Sequence, residues 1–269
     1  MLSIITAIYN QLQMNQLYYD SIVKSTDGEW ELIIIDNGST DGSREFFENL
    51  SDSRVKVVRN DGNYSYPFCQ NKGIEKASGD VMAFLNNDIL LSRHWNSRIS
   101  EVLGKEGYEV LSVSSNDNMP TNQQTRHISR KFKRIKYPLL ALFGSKRWVL
   151  KLIVRLTYGN LDKFAEKMWE KYSTNLKKGF SGSVIVMTRK AIEILNGWDP
   201  TQQGADFDMA LRTSKRWEEE GDIRPLSIIE GVMVHHFRRL TMREKFPPFK
   251  DASNLRSLEE KWGDRVKNS

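Results

Sequence analysis

"WELIIIDNGSTDGS", residues 30–43, opens with an apolar, β-branched run and closes with eight residues that are all small or polar. The first part reads as a buried strand and the second as a loop that leads into a helix. Three further stretches have the same form: "LSIITAIY" (2–9), "RVKVVRN" (54–60) and "DVMAFLN" (80–86). Between them, residues 11–26, 41–50 and 65–77 carry apolar residues at helical spacing. Ser65 is placed to cap the third of these, with Pro67 in its first turn and Gly79 at its end. Strands that alternate with helices imply right-handed crossovers and a mainly parallel sheet covered on both faces. A helix over 92–104 and a strand at "YEVLSVSS" (108–115) continue the rhythm.

Past residue 115 the rhythm breaks. Residues 116–180 are basic and aromatic, with helices expected around 145–157 and 160–176. Strand pattern returns at "SGSVIVMT" (181–188), helices follow at 189–196 and 206–220, and "LSIIEGVMVHHF" (226–237) is the last strand. A basic tail remains from Arg238.

The chain has 269 residues, of which 39% are hydrophobic and 28% charged, as in a soluble globular protein. Its single cysteine, Cys69, excludes a disulfide framework and favours a reducing compartment. "MLSIITAIYN" lacks a basic leader and reads as a first strand, not a signal peptide. No run approaches the roughly 18 apolar residues of a spanning helix. The net charge is +6, and the stretch from Arg126 to Arg155 holds ten Lys or Arg and no Asp or Glu. Such a block reads either as a solvated basic face or as a site for an anionic partner.

Ligands of open α/β sheets bind outside the carboxyl ends of the strands. Three strands end in polar residues: Tyr9-Asn10, the loop from Asp36 to Ser43, and Asn86-Asn87-Asp88. No Gly-x-Gly-x-x-Gly follows the first strand and no Walker Lys-Ser/Thr is present. Dinucleotide-binding Rossmann and P-loop readings thereby lose their main support.

Joined in order, "IITAIYN", "LIIIDNGSTDGS" and "NKGIEKASGDVMAFLNNDI" resemble the nucleotide-sugar-binding half of a family 2 glycosyltransferase of the bacterial surface-polysaccharide type. The resemblance is close over 2–92 and resumes at 181–212. It implies the GT-A fold, an α/β architecture with a Rossmann-like, mixed, mainly parallel sheet flanked by helices and a basic helical insertion on the acceptor side. It divides the chain into a nucleotide-sugar half (1–115), a variable insertion facing acceptor or membrane (116–180), an acceptor-side half with the base (181–237) and a basic tail (238–269). The implied reaction is inverting transfer from a UDP- or dTDP-sugar to a hydroxyl of a glycan or lipid-linked acceptor.

The resemblance also assigns residues. Asp36 would accept from a base N–H, with Thr6, Ile8 and Asn10 framing base and ribose, and Asn71, Asn86 and Asn87 as further nucleotide contacts. Asp41 is either a helix cap or a nucleotide contact. Asn86-Asn87-Asp88 stands where the family has Asp-x-Asp. Asp88, expected at a solvent-facing strand end, would ligate Mg²⁺ or Mn²⁺ on the leaving diphosphate, while Asn86 replaces the first Asp. In "GWDPTQQGADFDMALR" (197–212), Gly204 and Asp206 match the family's Gly-Glu-Asp, and Ala205 replaces the Glu. Asp206 would be the general base. Asp208, two residues on, points about 200° away on a helix. Trp198 is either an acceptor platform or core. Of His235 and His236, one should reach the metal and diphosphate, because strand neighbours alternate in direction. Arg238, Arg239 and Arg243 would engage phosphate oxygens.

Asn86 and Ala205 also suit a non-catalytic nucleotide-sugar or glycan-binding module. The basic block alone suits a nucleic-acid binder, but no such motif accompanies it. A sugar nucleotidyltransferase would need a Gly-rich loop near the N-terminus that is missing. Residues 126–159 mix basic and large apolar side chains, the composition of a helix lying on an anionic membrane or of a helix packing on the core. The implied location is cytoplasmic, peripheral at the inner leaflet of the cell membrane under the membrane reading.

Overall fold

A computed structural model describes residues 1–238, 240 and 247–268. Its first part follows the βα rhythm: β1 (Leu2–Ile8), α1 (Leu12–Ser25), β2 (Trp30–Asp36), α2 (Ser43–Glu48), β3 (Val55–Arg59), α3 (Tyr66–Ile74) and β4 (Val81–Leu85). Alternation along these strands feeds two cores. Ile4, Leu32 and Ile34 enter the cluster on one face, and Ile5, Ile33 and Ile35 the cluster on the other. Every residue of β2 is buried, as a central strand covered on both faces requires.

Next come β5 (Ile89–Leu91), α4 (Trp95–Ser100) and β6 (Val110–Ser115), then three helices, α5 (Asn122–Phe143), α6 (Arg147–Tyr158) and α7 (Leu161–Tyr172). The chain returns through β7 (Leu176–Lys178), β8 (Val184–Thr188), α8 (Arg189–Leu195), α9 (Ala205–Glu219) and β9 (Ser227–His236), and α10 (Leu258–Trp262) lies near the end. The sheet runs β3-β2-β1-β4-β8-β6-β9-β5, with β7 on β9. Parallel pairing holds within β3-β2-β1-β4 and between β6 and β9. The other four pairings are antiparallel, so the sheet is mixed, with its continuous parallel run in the first half.

The long helix α5 is absent from the pattern expected over 116–180. Its buried stripe is Ile128, Phe132, Lys136 and Leu140, so a lysine interrupts the apolar period. Buried Lys136 donates from Nζ to the carbonyls of Phe237 and Arg238 at 2.5 and 2.6 Å, just past β9. Thr121 and Gln124 form a capping box that starts the helix.

The C-terminal residues, expected as a basic tail, fold back over the sheet edge. The Lys250 N–H donates to the Asn63 carbonyl, the Ser65 N–H and hydroxyl donate to Asp251, and the Arg256 N–H donates to the Thr201 carbonyl. Arg239 and Arg243 lie outside the described residues.

Helix α3 sits close on β1 because Gly73 has no side chain. A Cβ there would fall 2.2 Å from Ile5 Cγ2. Gly73→Ala is therefore expected to destabilise the fold by about 1–3 kcal/mol through overpacking, despite the better helix propensity of Ala. Chemical denaturation checks this, and an unchanged midpoint would show that α3 can lift off β1 freely.

Candidate active site

The carboxyl ends of β1, β2, β4 and β9 open onto a cleft of about 610 Å³. Ile8, Tyr9, Asn37, Asn63, Tyr64 and Gln70 are among its lining residues. Asn86, Asn87, Asp88, His236 and Arg238 line it too, with Pro247, Pro248 and Phe249. A polar hub holds the loops behind it. Asn15 of α1 is fully buried, accepts from Asn87 Nδ2 at 2.7 Å, and donates to the Asn10 carbonyl and Ser43 Oγ at 2.8 and 2.9 Å.

The turn after β4 is clamped to β9. Ile89 pairs with His236, and the Phe237 N–H donates to the Asp88 carbonyl at 2.8 Å. His236 Nε2 then meets Asp88 Oδ1 at 3.1 Å, while its Nδ1 lies 3.6 Å from Asp117. Arg238 Nε pairs with the same Asp117 at 3.0 Å. Burial alone would lower the pKa of His236, but the Asp88 and Asp117 carboxylates outweigh it and raise the pKa to about 9. Burial opposes ionisation of Asp117 too, yet the His236 contact carries its pKa down to about 2. Asp88 is only 4% exposed, so its place at a strand end does not make it solvent-facing.

Strand alternation sorts the two histidines. His235 points away from the cleft into a cage of Phe132, Phe237 and Tyr158, and shares a hydrogen bond with the Tyr158 hydroxyl at 3.0 Å. Burial pushes its pKa down to about 3, so it is neutral and remote from the diphosphate position assigned to the pair. His236 is the histidine of the cleft.

A divalent ion fits this donor set in a restricted way. Asp88 offers a carboxylate and His236 an imidazole on one wall. Among the described residues no cluster of three or more His, Cys, Asp or Glu would hold an ion unaided. That arrangement suits Mg²⁺ or Mn²⁺ taking one or two protein ligands and completing its shell with phosphate oxygens and water.

Asp206 stands in the first turn of α9, where its Oδ1 accepts from the Phe207 N–H at 3.0 Å. Its carboxylate lies over Gly182, whose absent Cβ would sit 2.1 Å from Asp206 Oδ2. The next residue, Ser183, accepts the Asn86 N–H through its carbonyl, so Asp206 adjoins the metal-side wall. Burial first, and the Asp206 charge second, push up the pKa of the cleft-lining Tyr66 phenol. Burial also raises the pKa of Asp206, which strengthens it as a proton acceptor. Asp208 is turned the other way: it is buried, accepting from Lys261 Nζ at 2.6 Å and Trp262 Nε1 at 2.8 Å.

Several expected contacts turn out to hold the scaffold. Asp36 is fully buried and accepts the N–H groups of Gly38 and Ser39, so Asn37 lines the cleft in its place. Asn10, in left-handed backbone, accepts from the Thr40 N–H through Oδ1, and its own N–H donates to Ser39 Oγ. Asp41 accepts from the Leu12 and Ser43 N–H groups and thus caps two helices. The Thr6 hydroxyl is buried against the Tyr18 hydroxyl. Asn71 brackets the Trp198 backbone at 2.7 and 2.9 Å. Trp198 itself is fully buried against Tyr66 and Phe84, so it is core and not an acceptor platform.

Three residues of the site had gone unmarked. Asp117 holds His236 and Arg238, Tyr64 stacks on Phe68 with centroids 4.2 Å apart at the cleft wall, and Gln70 is fully buried with neither amide atom partnered. An aromatic cluster, "YSYPF" (64–68), directly after a strand was the available signal for Tyr64. For Gln70 there was none.

A mixed sheet with a polar cleft at its carboxyl edge is the GT-A arrangement. The mannosyltransferase PcManGT from Pyrobaculum calidifontis, solved with GDP-Man and Mn²⁺, shares it: TM-score 0.53 and 16% identity, covering 84% of this chain and 56% of that one. The chain belongs to glycosyl transferase family 2, whose model matches residues 3–155, more than half its length. It is 33% identical over 90 residues to the putative teichuronic acid biosynthesis glycosyltransferase TuaG of Bacillus subtilis, covering 33% of this chain and 36% of that protein. Over 122 residues it is 30% identical to WfgD of Escherichia coli, a UDP-Glc:α-D-GlcNAc-diphosphoundecaprenol β-1,3-glucosyltransferase, covering 43% of this chain and 48% of that protein. The alignments thus span between about a third and a half of these relatives' lengths.

Since the pKa of His236 rises from 6.5 unfolded to about 9 folded, its contribution to stability is complete below about pH 6.5. It is lost as the pH climbs through 9. In metal-free protein the wild-type Tm should fall more steeply than that of His236→Gln across this alkaline window. Parallel curves would mean that His236 is uncharged in the folded state.

Proposed function

We propose that the protein is an inverting glycosyltransferase that moves a sugar from a UDP- or dTDP-sugar to a hydroxyl of a glycan or lipid-linked acceptor. The observation that carries this reading is the polarity of the cleft. Its lining carries the Asp88–His236 pair, Asp206 lies nearby over Gly182, and Gln70, fully buried with neither amide atom partnered, is among the residues around it. A buried amide with neither atom satisfied calls for a ligand. The imide edge of uracil or thymine, an N–H beside a carbonyl, is complementary to it. The UDP-glucose and lipid diphosphate named for WfgD support the donor and acceptor classes.

In this mechanism a nucleotide sugar lies along the cleft with its base toward Gln70 and Tyr64 and its diphosphate toward Asp88. A divalent ion, when bound there, supplies charge neutralisation for the departing diphosphate. Asp88 and His236 would hold it, and Arg238 stands beside them. Asp206 takes the proton of the acceptor hydroxyl as that oxygen bonds to the anomeric carbon. The bond from that carbon to the phosphate oxygen breaks on the opposite side, inverting the centre. The enzyme would work at the cytoplasmic leaflet, bound peripherally.

Asp206→Asn should lower the metal-dependent chemical step about 10²-fold or more while leaving UDP affinity nearly unchanged. Asp208→Asn should instead cost about 1–3 kcal/mol of stability by weakening the hold on Lys261 and Trp262, with less effect on turnover. Single-turnover kinetics with UDP-sugars and Mn²⁺, beside denaturation curves, separate the two. The reverse ranking would move the base to Asp208, and the absence of UDP-sugar turnover by the wild type would favour the binding-module reading.

A further inference from the structure

Five of the nine large apolar side chains that stand exposed among the described residues fall between residues 137 and 156: Tyr137, Leu142, Phe143, Trp148 and Leu156. Leu142, Phe143 and Trp148 flank the turn from α5 to α6, with Tyr137 further back on α5 and Leu156 near the end of α6. Leu142 is 74% exposed, and the rings of Phe143 and Trp148 meet across the turn with centroids 5.4 Å apart. Packing on the core does not account for them, because α6 already buries another face through Val149, Leu150, Ile153 and Val154. An apolar cluster of this kind on an otherwise polar surface marks a contact site.

Nearer its start, α5 is cationic on its exposed side. Arg126, Arg130 and Arg134 follow one another at i, i+4 spacing, on the exposed side opposite the buried stripe of Ile128, Phe132, Lys136 and Leu140. With Lys131, Lys167 and Lys171 they wall a groove of about 1360 Å³ between α5 and α7, above a floor that includes Ile128 and Met168. No carboxylate among the described residues lines the groove. Among the described residues none of these six cations has a carboxylate partner, whereas Arg54, Lys56, Arg59 and Lys190 are each paired with one. A merely solvated basic face would explain the cations but not the apolar cluster beside them.

We infer that the outer side of α5 and α6 is a docking surface for an anionic lipid bilayer. Leu142, Phe143 and Trp148 enter the boundary between headgroups and acyl chains, and Arg126, Arg130 and Arg134 meet lipid phosphates. No helix among the described residues is long and apolar enough to cross a membrane, so the contact is made in the plane of the interface. Helix α5 also joins this surface to the cleft. Lys136, on its inner side, grips the carbonyls of Phe237 and Arg238, beside His236. The inference deepens the proposed function and rests on it for the acceptor: a lipid-linked sugar held in the bilayer would be presented next to the metal-side wall.

The test is co-sedimentation of the full chain with vesicles of phosphatidylglycerol and phosphatidylcholine at low salt, with pure phosphatidylcholine vesicles as the comparison. The wild type should pellet with the anionic vesicles and be released by salt. Both Leu142→Ser/Phe143→Ser and Arg126→Ser/Arg130→Ser/Arg134→Ser should remain in the supernatant while hydrolysing a UDP-sugar in solution at the wild-type rate. Tryptophan quenching by brominated lipids should fall in Trp148→Phe. Vesicle binding reads the surface and UDP-sugar hydrolysis reads the cleft, so either reading can fail alone. A wild type that stays in solution, variants that pellet like the wild type, or binding to RNA without binding to vesicles would each overturn the inference.

Discussion

The contact between the Asp88 carboxylate and the His236 imidazole joins the two halves of the sheet at the edge where the cleft opens. One partner follows the parallel first half, and the other ends the last strand of the antiparallel-linked second half. Burying a charged pair costs desolvation that the mutual attraction seldom repays with much to spare. Such a pair is a weak source of net stability and a good means of fixing position. The surrounding structure is built to hold it: Asn116 brackets the His236 backbone at 2.7 and 3.1 Å, and Asp117 stands behind the ring.

From that seam outward, polar side chains bond loop to loop. Asn15 connects the Asn87 turn to the end of β1 and the start of α2. Asp41 and Asn10 lock those same segments to each other, and Lys136 ties α5 to the end of β9. The buried bonds of Asn15 and Lys136 satisfy groups that would be expensive to bury alone, and so hold these segments in place. Gln70, buried among the residues that line the cleft, has neither amide atom partnered.

The first half was legible because its strands are short, β-branched and closed by Gly, Asn and Asp, so that local chemistry and fold agree. Helix α5 was not, because Lys136 occupies a core position and breaks the apolar period. At the site, the alternation of a strand was enough to predict that only one of His235 and His236 faces the cleft, and the 200° step of a helix separated Asp206 from Asp208. Asp36 was read as a nucleotide contact, and Trp198 was open between platform and core, for a common reason. A carboxylate at a strand end can serve the turn as readily as a ligand, and an aromatic beside a site can belong to the core. Asp117 and Gln70 matter through what surrounds them in space, which no spacing along the chain records.

In the proposed mechanism the Asp88–His236 seam receives the diphosphate of a nucleotide sugar together with a divalent ion. Calorimetric titration of UDP into the protein, with Mn²⁺ and then with EDTA, tests it directly. Binding should require Mn²⁺ and weaken by more than about tenfold in Asp88→Asn. Equal affinity with and without the metal, or in the variant and the wild type, would contradict it.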